Sequence, residues 1–413
     1  SAAAPSSPVP AAPVPGAARR PRLLVVGPLP PPIGGVETVT QAVLESDAFR
    51  DFEVAHCDIT KGRPKETQGR FDPGNFAWAA RHFARMARAT LSFRPDVVYL
   101  PVAGNFSAVL RDLTLGWIGR RTGARTVAHQ HAGRIERVLE KRGLARFVVR
   151  AGFRQFDRLL VLGEHWRPLF ERYGVTAPIG VVPSTFRREV FERAQGFRRP
   201  EKRSGPIEGL FVGQHGRLKG TLDLLRAIAA LRARDVAFRM TFVGPAQRAG
   251  DEQAVMALRR ELTLEDVTEF TGLLLGDALY QRFRRADLFV LPSHAEGLPV
   301  VLYEAGAFEM PAITTPVGAI PDLIRHEVNG LLVEPGNVEQ LAAAIARLAA
   351  GHDERIRLGA RLRQDVLEFH PDRICERIAE NVRATLAAPA GPPRTGSGTL
   401  PPTPMPPSDA SRG

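Results

Sequence analysis

Short apolar runs alternate along most of this chain with longer stretches of helical periodicity. That alternation is typical of parallel sheets built from βαβ units. The rhythm occurs twice, so we predict an α/β protein with two doubly wound domains of comparable size. The predicted strands are Arg22–Gly27, Asp96–Leu100, Thr126–His129, Arg158–Leu162 and Ile179–Val182 in the first half, and Gly209–Gly213, Phe238–Gly244, Val267–Thr271, Leu288–Leu291 and Ala312–Thr314 in the second.

Composition divides the chain further. Both ends are rich in Pro and small residues, which predicts disordered tails, and a Pro/Arg-rich stretch between the two halves predicts a linker. A last helix follows the helix-breaking pair His370–Pro371. The predicted segments are a tail at 1–21, a first domain at 22–195, a linker at 196–206, a second domain at 207–370, a helix at 371–388 and a tail at 389–413.

Charge is distributed unevenly over the 413 residues, whose formal net charge is +12. Residues 1–185 carry 26 Lys and Arg against 15 Asp and Glu, whereas the remainder carries 30 against 29. The excess belongs to the first half, which indicates an anionic partner there. No uncharged apolar run reaches the roughly 18 residues of a membrane span. Cys57 and Cys375 match no metal or redox spacing, so we expect a reducing, cytoplasmic compartment.

Glycines follow the first strand of each half. Gly34 and Gly35 open a helix after RLLVVG, where backbone N–H groups and the helix dipole favour an anion. A tight strand-to-helix turn is the alternative. In the second half, the glycine-rich turn after GLFVG carries Arg217 and Lys219, cations that suit a diphosphate; a solvated basic turn is the alternative there.

Two carboxylates follow the strand LFVL. Glu296 and Glu304 are eight residues apart in LPSHAEGLPVVLYEAG, which passes from a loop into a predicted helix. Such a pair can hold sugar hydroxyls, while the amides of Gly297 to Val300 meet a phosphate. A loop Glu plus a helix-start Glu favoured by the dipole is the simpler explanation of either residue alone.

The run PSHAEGLPVVLYEA resembles the E-x7-E signature of the retaining glycosyltransferases of family 4, which have the GT-B fold. The following TTPVGAIPDLIRHEVNGLLVEPGNVEQLAAAI, the GGVE turn and the glycine turn ending at Lys219–Gly220 resemble the same family. The resemblance covers about residues 22–388. It implies two Rossmann-like domains with an interdomain cleft, in which the second domain holds a nucleotide sugar.

The resemblance also implies roles for individual residues. Glu304 binds the donor ribose, Glu296 binds a hydroxyl of the transferred sugar, and Lys219 neutralises the diphosphate. The donor set it implies is Gly34, Gly35, Gln214, Arg217, Lys219, Leu273 in the base-contacting stretch Thr271–Leu274, Glu296, Gly297, Leu298, Pro299, Val300 and Glu304. The last helix crosses back to the first domain.

The chain departs from the family pattern at several positions. Gln214 stands where Arg is usual, and Arg217 lies three residues later. Glu309 replaces a customary Gly, Asp322 replaces Glu, and Pro183–Ser184–Thr185 replaces Pro-Asn-Gly. These departures affect the fine geometry of the donor site but leave the carboxylate pair and Lys219 in place.

Two histidines, His129 and His131, flank Gln130 at the end of the strand TVAH. They share one face of the strand, but the further ligands of a metal site are missing, and the chain has no D-x-D for a cation. We therefore expect no metal and no cofactor beyond the nucleotide-sugar co-substrate. By resemblance, His131, with His129 as the alternative, contacts donor hydroxyls on the acceptor side and stabilises developing charge. A packed structural histidine is the simpler alternative.

Arginines recur in the first half at helical spacing. Arg142, Arg146, Arg150, Arg154 and Arg158 follow one another every four residues. A second basic segment, Trp78–Phe93, carries Arg81, Arg85 and Arg88. Positive amphipathic faces bind anionic lipid headgroups, which predicts a peripheral position on the inner face of the cell membrane. A solvated helix face is the alternative.

Together these features predict a retaining, metal-independent hexosyltransferase that acts on a glycan, lipid-linked or other hydroxyl acceptor in polysaccharide or glycoconjugate synthesis. Another GT-B enzyme, such as a nucleotide-sugar epimerase or a phosphorylase, is the first alternative. A nucleic-acid-binding protein is the second, prompted by the charge. The chain has only four Tyr and three Trp for base stacking and no groove-reading motif, so we expect no nucleic-acid partner.

Overall fold

The computed structural model describes residues 19–30, 34–60, 73–102, 106–131, 139, 143–199, 205–247 and 249–389. Within them the strands form two parallel sheets of six strands each. The first sheet has the order β2-β1-β3-β4-β5-β6 and the second β12-β11-β10-β7-β8-β9. The strands are β1 Arg22–Gly27, β2 Glu53–Asp58, β3 Val97–Val102, β4 Arg125–Gln130, β5 Arg158–Val161, β6 Ile179–Val181, β7 Ile207–Val212, β8 Phe238–Val243, β9 Thr268–Gly272, β10 Leu288–Leu291, β11 Ala312–Thr314 and β12 Gly330–Leu332.

Helices connect successive strands and cover the sheets. In the described ranges they are α1 Gly35–Glu45, α2 Pro73–Phe93, α3 Phe106–Arg121, α4 Gly143–Arg154, α5 Arg167–Arg172, α6 Arg188–Ala194, α7 Thr221–Arg232, α8 Ala249–Glu261, α9 Gly276–Arg285, α10 Val300–Ala307, α11 Ile320–Leu323, α12 Val338–Ala350, α13 His352–Val366 and α14 Pro371–Ala387. None of the helices in these ranges combines the length and the apolar character that crossing a bilayer requires.

The first sheet is buried on both faces. Strands β3 and β10 are buried at every position, which explains why they read as unbroken apolar runs. Side chains of α2, α3 and α4 pack on one face of the first sheet with Leu24 and Val98. Side chains of α1 and α14 pack on the other face with Leu23 and Val25. The last helix therefore lies on the first sheet, although it follows the second sheet in the chain.

All ten predicted strands overlap observed strands, which confirms the α/β class. Two observed strands, β2 and β12, were not predicted. Strand β2 is an edge strand with the sequence EVAHCD, whose first residues are exposed, so it lacks an apolar run. The exposed positions of β2 weaken the hydrophobic signal on which strand prediction depends. Strand β12 has three residues, like β6 and β11, which were predicted, so its length does not explain why it was missed.

Parts of the predicted boundary segments lie outside the described residues. These parts are residues 1–18 of the first predicted tail, 200–204 of the predicted linker and 390–413 of the second tail.

Candidate active site

Lys219 and Glu296 meet at the carboxyl ends of β7 and β10. Lys219 ends a short 3-10 turn after β7, and Glu296 lies in the loop between β10 and α10. The two strands are neighbours, so both loops leave the same edge of the sheet. Lys219 Nζ lies 2.5 Å from Glu296 Oε1, and Ser293 Oγ donates to the same oxygen over 2.7 Å. The site thus holds an ion pair whose members can each be redirected to a ligand.

Two glycines allow these loops to pack closely. Gly220 has a φ of +69°, and a Cβ there would lie 1.9 Å from the carbonyl oxygen of Pro292. Gly318 has a φ of +59°, and a Cβ there would lie 2.3 Å from the carbonyl oxygen of Glu296. Ala319 N donates to Gly297 O over 2.8 Å. Both positions require glycine because the conformation is left-handed and another backbone is in contact.

Glu304 lies in the second turn of α10 and is only 5% exposed. Arg187, just before α6, places Nη2 3.4 Å from Glu304 Oε1. Burial raises the pKa of the Glu304 carboxyl, and the charge of Arg187 opposes that rise. The arginine also lies over the ring of Tyr280, at 5.8 Å from its centroid. In this structure Arg187 is therefore paired with the Glu304 carboxylate, to which the resemblance assigns the binding of the donor ribose.

The glycine pair of the first half lies against the second. Gly34 precedes α1 in extended conformation. A Cβ on Gly35 would lie 3.8 Å from both Ser184 Oγ and Val300 Cγ2, so the start of α1 faces the start of α10. Ser184 is 1% exposed, and its hydroxyl has no hydrogen-bond partner among the described residues. The predicted donor amides of Gly34–Gly35 and of Gly297–Val300 thus lie near one junction.

The two histidines occupy different environments. His129 is fully buried; its Nε2 donates to Val182 O over 2.9 Å, and its Nδ1 accepts from Tyr99 Oη over 2.7 Å. Burial lowers the pKa of His129 to about 4. Both ring nitrogens of His129 are therefore engaged within the protein.

His131 presents the contrasting case. Its ring centroid lies 4.2 Å from that of His129, yet its Nε2 is buried and has no hydrogen-bond partner within the described ranges. Burial lowers the pKa of His131 well below its usual value, and His129 adds to the effect. The lowered pKa favours a neutral imidazole, whose Nε2 has no partner among the described residues. Of the two candidates, its environment is the one that suits a role beside the reacting sugar.

The remaining predicted donor residues are more exposed. Arg217 is exposed, and its backbone N–H faces Asp251 Oδ1 at 3.5 Å, a contact that sequence reasoning missed. Gln214 is half-buried one residue before His215. Leu273 is 65% exposed in the loop between β9 and α9, where it leaves apolar surface open at the carboxyl edge.

Two departures from the family pattern have structural explanations. Glu309 keeps a left-handed φ of +54° at the position where Gly is usual, and its carboxylate pairs with Arg363 at 3.0 Å. Asp322 reaches the first half of the chain, where its Oδ2 lies 3.4 Å from His165 Nδ1. The Arg363 pair fixes the Glu309 side chain, and the Asp322 contact joins the two halves of the chain.

The predicted arginine face on residues 142–158 is wrong at its last member, Arg158. Helix α4 ends at Arg154, and Arg158 lies in β5. Arg158 donates to Thr385 Oγ1 over 2.9 Å and to Asn381 Oδ1 over 3.2 Å, so it anchors α14. Arg158 keeps the four-residue spacing of the preceding arginines, but it lies beyond the end of the helix and so does not share their helix face. Side chains of Arg142 and Arg146 lie outside the described residues.

In the described ranges no group of three or more His, Cys, Asp or Glu is placed to hold a metal ion.

Residues 192–365 match a family model described as glycosyl transferases group 1. The D-inositol 3-phosphate glycosyltransferase of Saccharomonospora viridis is 35% identical over 184 residues, which are 43% of this chain and 43% of that protein. The protein of the same name from Acidothermus cellulolyticus is 30% identical over 232 residues, 54% of this chain and 51% of the relative. The matched part therefore spans about half the length of these curated relatives.

Solved structures resemble more of the chain. Sucrose-phosphate synthase of Thermosynechococcus elongatus has a TM-score of 0.69 at 19% identity and covers 89% of this chain and 100% of its own. Anabaena HepE in complex with UDP and glucose has a TM-score of 0.65 at 18% identity, with coverage of 88% and 99%. At such low identity the likeness shows the fold. Residues 192–365 therefore form a glycosyltransferase group 1 domain within a chain that has the GT-B fold.

Proposed function

We propose that this chain is a retaining, metal-independent glycosyltransferase that moves a hexosyl unit from a nucleoside-diphosphate sugar to a hydroxyl acceptor. The observation that carries the proposal is the pairing of Lys219 with Glu296 at the carboxyl edge of the second sheet. Open parallel sheets bind ligands at that edge. The names of the relatives and the UDP and glucose in the HepE complex support the same class of donor.

The pair suits a nucleotide sugar in two ways. The Lys219 side chain is 24% exposed, so the ammonium can turn from Glu296 to the diphosphate without leaving the site. Glu296 then offers its carboxylate to sugar hydroxyls and keeps the hydrogen bond from Ser293. Gly297 and Leu298 follow Glu296 in the same loop, and Val300 begins α10. Cations and amides held in place before the reaction stabilise the charge that develops on the leaving diphosphate.

The reaction we propose retains the anomeric configuration. The acceptor oxygen bonds to the anomeric carbon on the face from which the diphosphate leaves, and the bond from that carbon to the β-phosphate oxygen breaks. The electron pair of the broken bond stays on the diphosphate, which also takes the acceptor proton. His131 supplies a neutral imidazole nitrogen to the sugar hydroxyls. Glu304 exchanges its contact with Arg187 for the donor ribose.

A donor screen followed by an activity assay tests this proposal. Thermal shifts with UDP-, GDP-, ADP- and dTDP-sugars identify the base, and the stabilising donor is then incubated with glycan and lipid-linked acceptors. We expect nucleoside diphosphate to be released only when an acceptor is present, with retained configuration by NMR and no effect of EDTA. Release without an acceptor, or epimerisation of the donor, would support the other GT-B enzymes instead.

A further inference from the structure

The layer of helices on one face of the first sheet, formed by α2, α3 and α4, is strongly basic. Helices α2, α3 and α4 together contain nine Arg and one Asp. That residue, Asp112, is fully buried and pairs with Arg111 at 2.5 Å. Helices of the second sheet mix both signs; α8, for example, has acidic residues in its first turn and Arg259 and Arg260 in its last. The charge excess of the first half is therefore concentrated on this layer.

The outward side of α2 is a cationic stripe. Arg81, Arg85 and Arg88 are exposed at helical spacing, and Leu91 extends the stripe with 66% of its surface exposed. Arg85 also donates to the carbonyl of Asp58 over 3.0 Å. The opposite side of the helix packs into the core through Met86, which is fully buried. The arginines are thus held outward by the packing of the helix.

The outward side of α3 is apolar and aromatic. Leu110 is 39% exposed and Trp117 is 53% exposed, seven residues apart on one side of the helix. Arg121 is exposed one turn later, with its guanidinium 5.5 Å from the centroid of the Trp117 ring. On α4, Phe147 is 55% exposed. Helix α3 lies between α2 and α4, so the apolar stripe borders the cationic one.

We infer that this layer, the outer surface of α2, α3 and α4, docks on an anionic membrane surface. Arginines beside exposed aromatic and aliphatic side chains match a bilayer interface, where phosphates meet acyl chains. The 16 residues of α3 span roughly 24 Å, and three helices at about 9 Å spacing give a surface large enough for several headgroups. A nucleic acid fits less well because the centre of the surface is apolar.

The docking surface also has a defined relation to the candidate site. Helix α3 begins after the carboxyl end of β3, so its first turn lies at the carboxyl edge of the first sheet, the edge from which the start of α1 faces α10 of the candidate site. A bilayer against the layer therefore brings lipid headgroups toward that edge. Given the proposed function, the acceptor that we infer is a hydroxyl compound linked to a lipid.

Vesicle sedimentation of the full chain tests the inference. Vesicles with about one third phosphatidylglycerol are compared with pure phosphatidylcholine at 0.1 M and 0.5 M NaCl. We expect binding to the anionic vesicles only, weakened by salt. The triple variant Arg81→Gln, Arg85→Gln, Arg88→Gln should bind about a hundredfold more weakly, at about fivefold per arginine. The matched control removes three exposed arginines of the second half of the chain, Arg226 and Arg232 on α7 and Arg239 on β8, and should bind as the wild type does.

The apolar stripe is tested separately. Leu110→Ser with Trp117→Ser should weaken vesicle binding about tenfold but leave binding to a soluble oligonucleotide of equal phosphate concentration unchanged. Brominated lipid should quench the tryptophan fluorescence of the wild type, and this quenching should be lost in Trp117→Phe. The measurement tests the apolar contact without changing the charge of the protein. Equal losses in the two arginine triples, or no effect of the apolar substitutions, would overturn the inference in favour of general polyanion binding. Vesicle binding without sugar transfer would refute the proposed function alone, and transfer without vesicle binding would refute this inference alone.

Discussion

Replacing Arg187 with Met leaves the Glu304 carboxylate buried without its cation. Two unit charges 3.4 Å apart attract each other by about 5 kcal/mol at an effective dielectric constant of about 20. Desolvation of both groups offsets part of that attraction, and removal of one partner of a buried pair typically costs about 3–5 kcal/mol. The distance is longer than an ideal ion pair, so we expect a loss of about 3 kcal/mol, toward the lower end of that range.

Thermal unfolding of four proteins measures this loss: the wild type, Arg187→Met, Glu304→Gln and the double variant. For a unit of about 170 residues, about 3 kcal/mol lowers the Tm by about 6–12 °C. The double variant should be more stable than Arg187→Met because no unpaired charge remains, with a coupling of about 2 kcal/mol. Additive single effects, or a loss below about 1 kcal/mol for Arg187→Met, would refute the reasoning.

The pH dependence gives an independent check. Burial raises the folded-state pKa of Glu304 above the ordinary value of 4.5, and Arg187 restrains that rise. Without Arg187 the folded pKa rises further. Between the unfolded and folded values the folded state binds more protons, so the free energy of unfolding falls as the pH rises. The deficit of Arg187→Met should therefore be largest at pH 8 and smaller at pH 5; a deficit that grows on acidification would contradict the assignment.

Three further outcomes are expected. Lys219→Ala and Glu296→Gln should each lower kcat at least about a hundredfold, since each removes a group that holds the reacting diphosphate or sugar. Release of nucleoside diphosphate measures the loss. Arg239→Ala changes an exposed strand position and is the control with unchanged activity. Gly318→Ala should lower the Tm and weaken donor binding, because the new Cβ meets the Glu296 carbonyl. Calorimetric titration with the donor that the screen identifies measures the affinity. An unaltered affinity would show that the loop contact does not matter for donor binding. Because burial lowers the pKa of His129 to about 4, the free energy of unfolding of the wild type should fall by up to about 3 kcal/mol as the pH falls from 6.5 through 4. Urea unfolding should show that His129→Leu lacks this contribution. An equal loss on acidification in the variant would assign it to other groups.

The candidate site was predictable in part because its loops obey local rules. Lys219 and Glu296 are 77 residues apart, yet each follows a predicted strand, and neighbouring parallel strands deliver their loops to one edge. Their direct contact follows from the strand order, in which β10 lies beside β7. Sequence reasoning placed both residues at the site, but it did not show that they pair with each other.

Arg187 illustrates what local sequence leaves open. It lies 117 residues from Glu304, in an arginine-rich stretch where nothing distinguishes it from its neighbours. Likewise, the sequence does not distinguish His129 from His131. The contacts of His129 with Tyr99 and Val182 separate it from His131, whose Nε2 has no partner in the described part of the chain.

The sequence by itself determined the strand and helix rhythm, the turn glycines, the spacing of the two carboxylates and the uneven charge, because periodicity, backbone freedom and charge are properties of short segments. The tertiary structure decided which cation pairs with which carboxylate, and it turned Arg158 inward while leaving Arg81 and Trp117 outward. The reason is that burial and ion pairing depend on residues far apart in the chain, which meet only when sheets and helices pack. Nine of the arginines that make the chain basic thereby come together on three neighbouring helices.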